Sequence, residues 1–410
     1  MRKKVYVFDE YITSKRNGIG SFLKEFNYCM EQIDTDICII TFNANIEEFN
    51  IQRGEDGKMS EMLFPPFAVG DFIDNAEIII KLFRLYILDA LNNVFFINHS
   101  PCEILIEILK KNYTQSNFIY VIHNFRWASL YLGDVKQYMQ DISQKKNVVE
   151  QGTNVIDAYK KDIKTCALVD RIVCLSKSTY DLLQSTYLIN CNKMVLIPNG
   201  LKSGKNYLRK YDKKKIRKEL FISNDEKILL FVGRPTLQKG IYALLDAFQI
   251  ILKKHSKVRL VIIGFDNNNG LEYLMKHLSS CVSCVSFIGF IDKKELKKWY
   301  LVADIGIIPS YYEQCSYVGI EMMMYGLPIV VSDGFGIQDM FQDNINALIA
   351  PIGKRKSTEE FSYNIAQLIE KLMLSEELRK ALGKNARKKY CKYYNVNQMQ
   401  KGYRDLLSSL

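Results

Sequence analysis

Seven residues separate Glu313 from Glu321, and both follow the short apolar run 305–309. The first falls in the loop that ends this run. The second falls about one turn into a helix predicted over 317–325. A carboxylate only accepts hydrogen bonds, so two of them beside one strand end suit a polyhydroxy ligand such as a sugar or ribose. The helix start, Ser316-Tyr317-Val318, offers backbone N–H groups and a positive dipole end, which favours an anion. Taken alone, the two acids read equally well as a loop carboxylate and a solvated helix carboxylate.

A second stretch runs Gly233-Arg234-Pro235-Thr236-Leu237-Gln238-Lys239-Gly240. Gly233 lets a ligand approach the backbone closely. Arg234 can grip phosphate oxygens bidentately, and Lys239 adds a point charge. Standing alone, these would be ordinary surface cations. In the first half, Gly18-Ile19-Gly20 follows the first strand and opens a helix, a loop fit to face phosphate. His123 ends the apolar run 118–123, and His99 follows another run as the weaker candidate. Cys281 and Cys284 form the one Cys-x-x-Cys, with no second pair to complete a zinc site.

These residues need strands to end beside them. Apolar runs at 5–9, 37–42, 94–98, 118–123, 171–175 and 194–197 alternate with helical patterns such as 21–32, 103–112 and 154–168. The alternation then repeats, with runs at 227–233, 258–264, 285–288, 305–309, 329–332 and 347–349. Helical patterns at 241–254, 271–277 and 293–303 separate them, and three more close the chain. Continuous Val/Ile-rich strands between helices imply parallel sheets covered on both faces. The fold class is α/β, with two successive doubly wound Rossmann-like domains facing a central cleft. Ligands then belong at the carboxyl ends of the strands. The expected domains are 1–200 on the acceptor side and 201–390 on the donor side, with a terminal helix in 391–410 packing back on the first. The polar stretch 47–66 reads as an irregular insertion, and 201–218 as a solvated linker.

The 410 residues carry 56 Lys/Arg against 45 Asp/Glu, a net of +11. Residues 1–200 hold 22 and 24 of these (−2), and residues 201–410 hold 34 and 21 (+13), so the excess lies wholly in the second half. A basic protein invites nucleic acid as partner. No basic stripe interleaved with aromatics supports that, so no nucleic-acid partner is expected. The start reads as a strand and not as a secretory signal, and the ten Cys read as reduced thiols. A cytoplasmic location follows as the expectation. Residues 77–91 are apolar on nearly every face, which favours burial over contact with a membrane.

Together these stretches resemble the GT-B-fold family of retaining, nucleotide-sugar-dependent glycosyltransferases called glycosyl transferases group 1. The resemblance runs through Gly233-Arg234, Lys239-Gly240, Ile262-Ile263-Gly264, Phe287-Ile288-Gly289-Phe290, Ala303-Asp304-Ile305, Pro309-Ser310, Glu313 and Glu321 to Tyr325-Gly326-Leu327-Pro328. It is thinner in the first half, at Gly18, Gly20, His123 and Ile197-Pro198-Asn199-Gly200. The stretch from Glu313 to Glu321 also resembles a bacterial subgroup, some of whose members accompany peptide-modification systems. The resemblance implies roles. Arg234 and Lys239 would bind the donor diphosphate, Glu321 the ribose, and Glu313 the transferred sugar. Gly233, Gly289 and Phe290 would line the nucleotide site, and Ser316, Tyr317 and Val318 would support the β-phosphate. Gly18 and Gly20 would face that phosphate, and His123 would touch the donor sugar. No metal or other cofactor is implied. The partners would be a UDP- or GDP-sugar and a hydroxyl acceptor on a glycan, a lipid-linked carrier or a peptide, with peripheral contact to the inner membrane face as an open expectation.

The chain departs from the family pattern at four places. Cys315-Ser316 replace a frequent Phe-Gly, Leu201-Lys202 follow Pro-Asn-Gly where an acid is common, Asp339 stands where Glu is usual, and Asn124 where Asp is frequent. A catalytically silent binding or stabilising partner of glycosyltransferase type is the alternative from a different class.

Overall fold

Runs such as Val94-Phe95-Phe96-Ile97 and Ile228-Leu229-Leu230-Phe231 have no polar face, so a sheet built from them must be covered on both sides. The computed structural model describes residues 2–10, 18–67, 74–98, 103–146, 148–150, 153–203, 211–264, 278–355 and 357–410. The helix expected over 271–277, His99 and the Cys281 side chain lie outside the described residues. The chain divides into unit 1 (Met1–Leu130, Lys136–Lys202 and Val396–Leu410) and unit 2 (Tyr131–Val135 and Ser203–Asn395).

Unit 1 contains β1 (Lys4–Glu10), β2 (Asp36–Phe42), β3 (Asn50–Arg53), β4 (Met59–Leu63), β5 (Asn93–Ile97), β6 (Asn117–Ile122), a small ladder of β7 (Val149–Glu150) and β8 (Thr153–Asn154), β9 (Arg171–Cys174) and β10 (Met194–Leu196). Its main sheet has the order β10-β9-β6-β5-β1-β2-β4-β3, parallel except for β3. The stretch expected to be an irregular insertion is therefore the sheet's edge. Lys58 O accepts from Gly54 N at the turn, and Met62 points into the core while the polar residues face solvent. The last helix, Val396–Ser408, lies on helix Gly18–Gln32, with Tyr403 edge-on to Phe26 at 4.8 Å.

Helix Ala76–Tyr86 corrects the expectation of burial. Ile79, Ile80 and Phe83 are buried, and so is Ile87 beyond the helix end. Ile78, Leu85 (73% exposed), Tyr86, Leu88 (82%) and Leu91 are exposed. A helix one layer deep on a sheet buries one stripe, however apolar its other residues are.

Unit 2 contains β11 (Lys227–Val232), β12 (Val258–Ile263), β13 (Val285–Ile288), β14 (Ile305–Ile308), β15 (Ile329–Ser332) and β16 (Leu348–Ala350). The order is β13-β12-β11-β14-β15-β16, all parallel, so the winding reverses between β11 and β14. That gap is the topological switch point of a doubly wound sheet. Helices Ile241–Leu252 and Glu359–Leu374 cover one face, burying Leu244, Phe248, Ile365 and Ile369 against Leu229, Phe231, Leu260 and Ile262.

The basic stretch read as a solvated linker contributes to this core. Arg217 is buried, and its Nη2 donates to Asp304 Oδ2 at 2.7 Å. Lys213 Nζ meets Asp304 Oδ1 at 3.0 Å, and the Ile228 amide donates to Oδ2 at 2.9 Å. Burial alone would raise the Asp304 pKa, but Lys213, the Ile228 N–H and Arg217 outweigh it and hold the carboxyl below its ordinary value. Removing one member of such a group leaves buried charge uncompensated. Asp304→Ala should therefore destabilise unit 2 by about 3–5 kcal/mol, read by chemical denaturation. A depressed carboxylate pKa contributes stability that is present above the unfolded value and lost as the pH falls. The difference between wild type and variant should accordingly shrink on acidification below about pH 4.

Candidate functional site

The carboxyl ends of β11 and β14 stand side by side at the switch point of unit 2. After β11 the chain turns at Gly233, whose φ of 137° favours glycine. The Gly233 amide donates to Ile263 O at 2.8 Å. Arg234 follows with its side chain exposed. A single 3-10 turn, Leu237–Lys239, then leads to Gly240, which adopts a left-handed conformation (φ 70°) and starts helix Ile241–Leu252. A Cβ on Gly240 would lie 1.9 Å from Pro309 O. Only glycine permits this approach of one loop to the other. The Tyr311 amide donates to Gln238 O at 2.9 Å and completes the contact.

This approach brings Lys239 to Glu313. Lys239 Nζ lies 2.5 Å from Glu313 Oε1, and the buried Ser310 hydroxyl donates to the same oxygen at 3.2 Å. The Glu313 side chain is 15% exposed and that of Lys239 29%, so the pair is sheltered yet reachable. From the other side the loop after β15 closes in. A Cβ on Gly334 would lie 2.4 Å from Ser310 O, and one on Gly336 1.8 Å from Glu313 O. The Glu313 amide donates to Phe335 O at 3.0 Å. A carboxylate, an ammonium and a hydroxyl on strand ends can together bind a ligand carrying both hydroxyls and negative charge.

Helix Tyr317–Tyr325 begins at Ser316, whose hydroxyl accepts from Gly319 N, and it ends at Gly326 (φ 67°). Ser316 and Tyr317 are buried, and Val318 is half-buried. The Ser316 amide points to Met340 Sδ at 3.1 Å and is thus already engaged, which departs from the phosphate-facing amide expected there. Glu321 lies one turn in. Its Oε2 accepts from the Tyr300 hydroxyl at 2.7 Å. The two glutamates thus have separate partners. Gly289 and Phe290 follow β13, both exposed, with Phe290 at 55%. The Gly264 amide reaches Ile288 O at 3.1 Å and Gly289 O at 3.3 Å.

In unit 1 the corresponding switch point lies between β1 and β5. Gly18 and Gly20 open helix Gly18–Gln32. His123 follows β6, and its Nε2 donates to Asn98 Oδ1 at 2.6 Å, at the end of β5. The Phe22 ring meets the imidazole edge-on at 4.5 Å. Sequence reasoning missed Tyr300, Asn98 and the clamp formed by Gly334 and Gly336. Asn98 stands at a strand end beside His99, so its position was the available signal. Tyr300 carries none, because an aromatic on an amphipathic helix reads as core.

Residues 212–389 match the family described as Glycosyl transferases group 1. An uncharacterized glycosyltransferase of Methanocaldococcus jannaschii is 31% identical over 244 residues, 56% of this chain and 61% of the relative. The first curated relatives are matched over 61%, 47% and 40% of their own length, so the similarity is to part of each. Among solved structures, sucrose-phosphate synthase from Thermosynechococcus elongatus is similar with a TM-score of 0.75 at 18% identity, covering 100% of both chains. The Anabaena protein HepE, solved in complex with UDP and glucose, is similar with a TM-score of 0.72 at 14% identity, also covering 100% of both chains. Likeness at such identities concerns the fold alone. These findings bear out both the resemblance read from the motifs and the GT-B fold class of two doubly wound units.

The Gly240 contact is testable by itself. Gly57 has a similar φ of 75°, but a Cβ there would meet nothing within 4 Å. Gly57→Ala should therefore show only the left-handed backbone cost of about 1–2 kcal/mol. Gly240→Ala adds a clash with Pro309, and its loss of stability in denaturant should be distinctly larger.

Proposed function

We propose that this chain is a glycosyltransferase that moves a sugar from a UDP- or GDP-sugar to a hydroxyl of a glycan, lipid-linked or peptide acceptor. The observation that carries the reading is the Lys239–Glu313–Ser310 group at the strand ends of the switch point, within the residues that match glycosyl transferases group 1. The HepE complex with UDP and glucose supports it by analogy. In this reading Arg234 and Lys239 bind the diphosphate, and their charge stabilises it as it leaves. Glu313 and Ser310 hold hydroxyls of the transferred sugar, and Glu321 holds the ribose. Gly233, Gly289 and Phe290 line the nucleotide site. Amides of Tyr317 and Val318 face the β-phosphate, with Ser316 capping their helix. Gly18, Gly20 and His123, which the family resemblance assigns to the donor, stand at the strand ends of unit 1.

The bond from the anomeric carbon to the phosphate oxygen breaks, and the diphosphate keeps the electron pair. A bond from the same carbon to the acceptor oxygen forms on the same face, with retention as the family resemblance implies. The acceptor's proton passes to the leaving phosphate. No metal is assigned a part.

A thermal-shift screen of UDP, GDP, ADP and their sugars tests the reading. The matching nucleotide at a hundredfold excess over its Kd should stabilise the fold by about 2.7 kcal/mol. Lys239→Ala and Glu313→Ala should each lower transfer by roughly a hundredfold or more, and EDTA should leave the wild-type rate unchanged. Activity that survives both substitutions would sink the site assignment. Nucleotide binding without transfer to any acceptor would favour the silent-partner alternative.

The exposed Ile78, Leu85, Leu88 and Leu91, with Lys81 and Arg84 among them, favour peripheral membrane contact at this face. Basic and apolar residues on one surface suit anionic lipid. The chain should sediment with anionic vesicles, and Leu85→Glu with Leu88→Glu should abolish this. Wild-type protein left in the supernatant would rule the contact out.

A further inference from the structure

Tyr300 belongs to helix Lys293–Val302, which leads into β14, and its side chain is buried. Its ring stacks on Tyr325 with centroids 5.3 Å apart and planes 15° from parallel. Tyr325 is four residues after Glu321 on helix Tyr317–Tyr325, so the two share a face. The same helix thus supplies the carboxylate and the ring that braces its hydrogen-bond donor. Burial, and next the Glu321 charge, push the Tyr300 hydroxyl well above its ordinary range, which keeps it a donor at any working pH. A hydroxyl donating to a carboxylate makes a charge-assisted bond of the stronger kind.

We infer that Tyr300 is a positioning residue that fixes the Glu321 carboxylate for the ribose hydroxyls, so that the preference for a ribonucleotide donor depends on a buried phenol outside the ligand's reach. The inference rests on the proposed ribose role of Glu321. A glutamate has three side-chain torsions to order when it binds a ligand. Ordering them beforehand removes that cost from binding. The Tyr300–Glu321 bond does so, and the stacked Tyr325 keeps the phenol from turning away.

Tyr300→Phe keeps the ring and its stacking and deletes only the donor. Calorimetry with UDP and 2′,3′-dideoxy-UDP, or with the guanosine pair if that base is preferred in the screen, tests the inference. Tyr300→Phe should weaken the ribonucleotide roughly tenfold, the effect of one good hydrogen bond, and leave the dideoxy nucleotide nearly unchanged. In a Glu321→Ala background the same change should add nothing. Equal weakening of both nucleotides would mean that Tyr300 merely supports the fold, and no weakening of either would mean that Glu321 needs no help. Both outcomes overturn the inference while leaving the ribose role of Glu321 intact. Should Glu321→Ala itself fail to narrow the gap between the two nucleotides, the ribose assignment fails and takes the inference with it.

Discussion

The candidate site depends on how closely three backbone segments approach one another. Gly240 lies against Pro309 O, Gly334 against Ser310 O and Gly336 against Glu313 O, each at a distance that admits no side chain. The segment Pro309–Glu313 is thereby held between the loop after β11 and the loop after β15. A loop carboxylate is normally free to sample many positions. Here the backbone that carries Glu313 is fixed on both sides, with the Tyr311 and Glu313 amides bonded to Gln238 O and Phe335 O. The Lys239–Glu313 pair is a consequence of that clamp. Loops supply chemistry when a rigid scaffold positions them, and this scaffold is a row of glycines.

Electrostatics follows from the clamp. Lys239 has Glu313 as its partner, and the Ser310 hydroxyl adds a third group to the same oxygen. Neutral pairing keeps a half-sheltered ammonium from standing alone, which would be costly. In the proposed reaction a diphosphate offers Lys239 a second and more highly charged partner. Glu313 then has an oxygen to present to a hydroxyl. One interaction thus pairs the ammonium and gathers the groups that the proposed donor would meet.

Much of this was legible in the sequence, for identifiable reasons. Strands with no polar face announced themselves as uninterrupted Val/Ile runs, and β13 and β15 match their expected bounds. Gly233, Lys239, Gly240 and Glu313 were visible because each stands at a strand end or a turn. Where polar residues served packing, the reading failed. The stretch 47–66 is hydrophilic because it forms a sheet edge, and Arg217 and Lys213 sit in a basic run yet reach Asp304. Tyr300 could not be singled out, because its function lies in a bond to a residue 21 positions away. The exposed side of helix Ala76–Tyr86 was hidden by the opposite error, since apolar composition does not say how many neighbours a helix has.

Strand β14 joins these points. It has an acid just before it and another shortly after it, and the two do different things. Asp304, before Ile305, is surrounded by Lys213, Arg217 and the Ile228 amide and has little access to solvent. Its perturbed pKa marks a structural anchor of a kind that can mimic an active site. Glu313, beyond Ile308, has one cation and one hydroxyl as partners and stands at the carboxyl end of the strand. In a doubly wound sheet the amino ends of strands hold the fold together and the carboxyl ends meet ligands. The excess of cations in the second half of the chain thus divides by location. Lys213 and Arg217 stabilise the closed end of the sheet, and Lys239 with Arg234 stands at the open end. Lys239 and Arg234 stand at the strand ends where a doubly wound sheet meets ligands, and that position separates a candidate binding charge from a structural one.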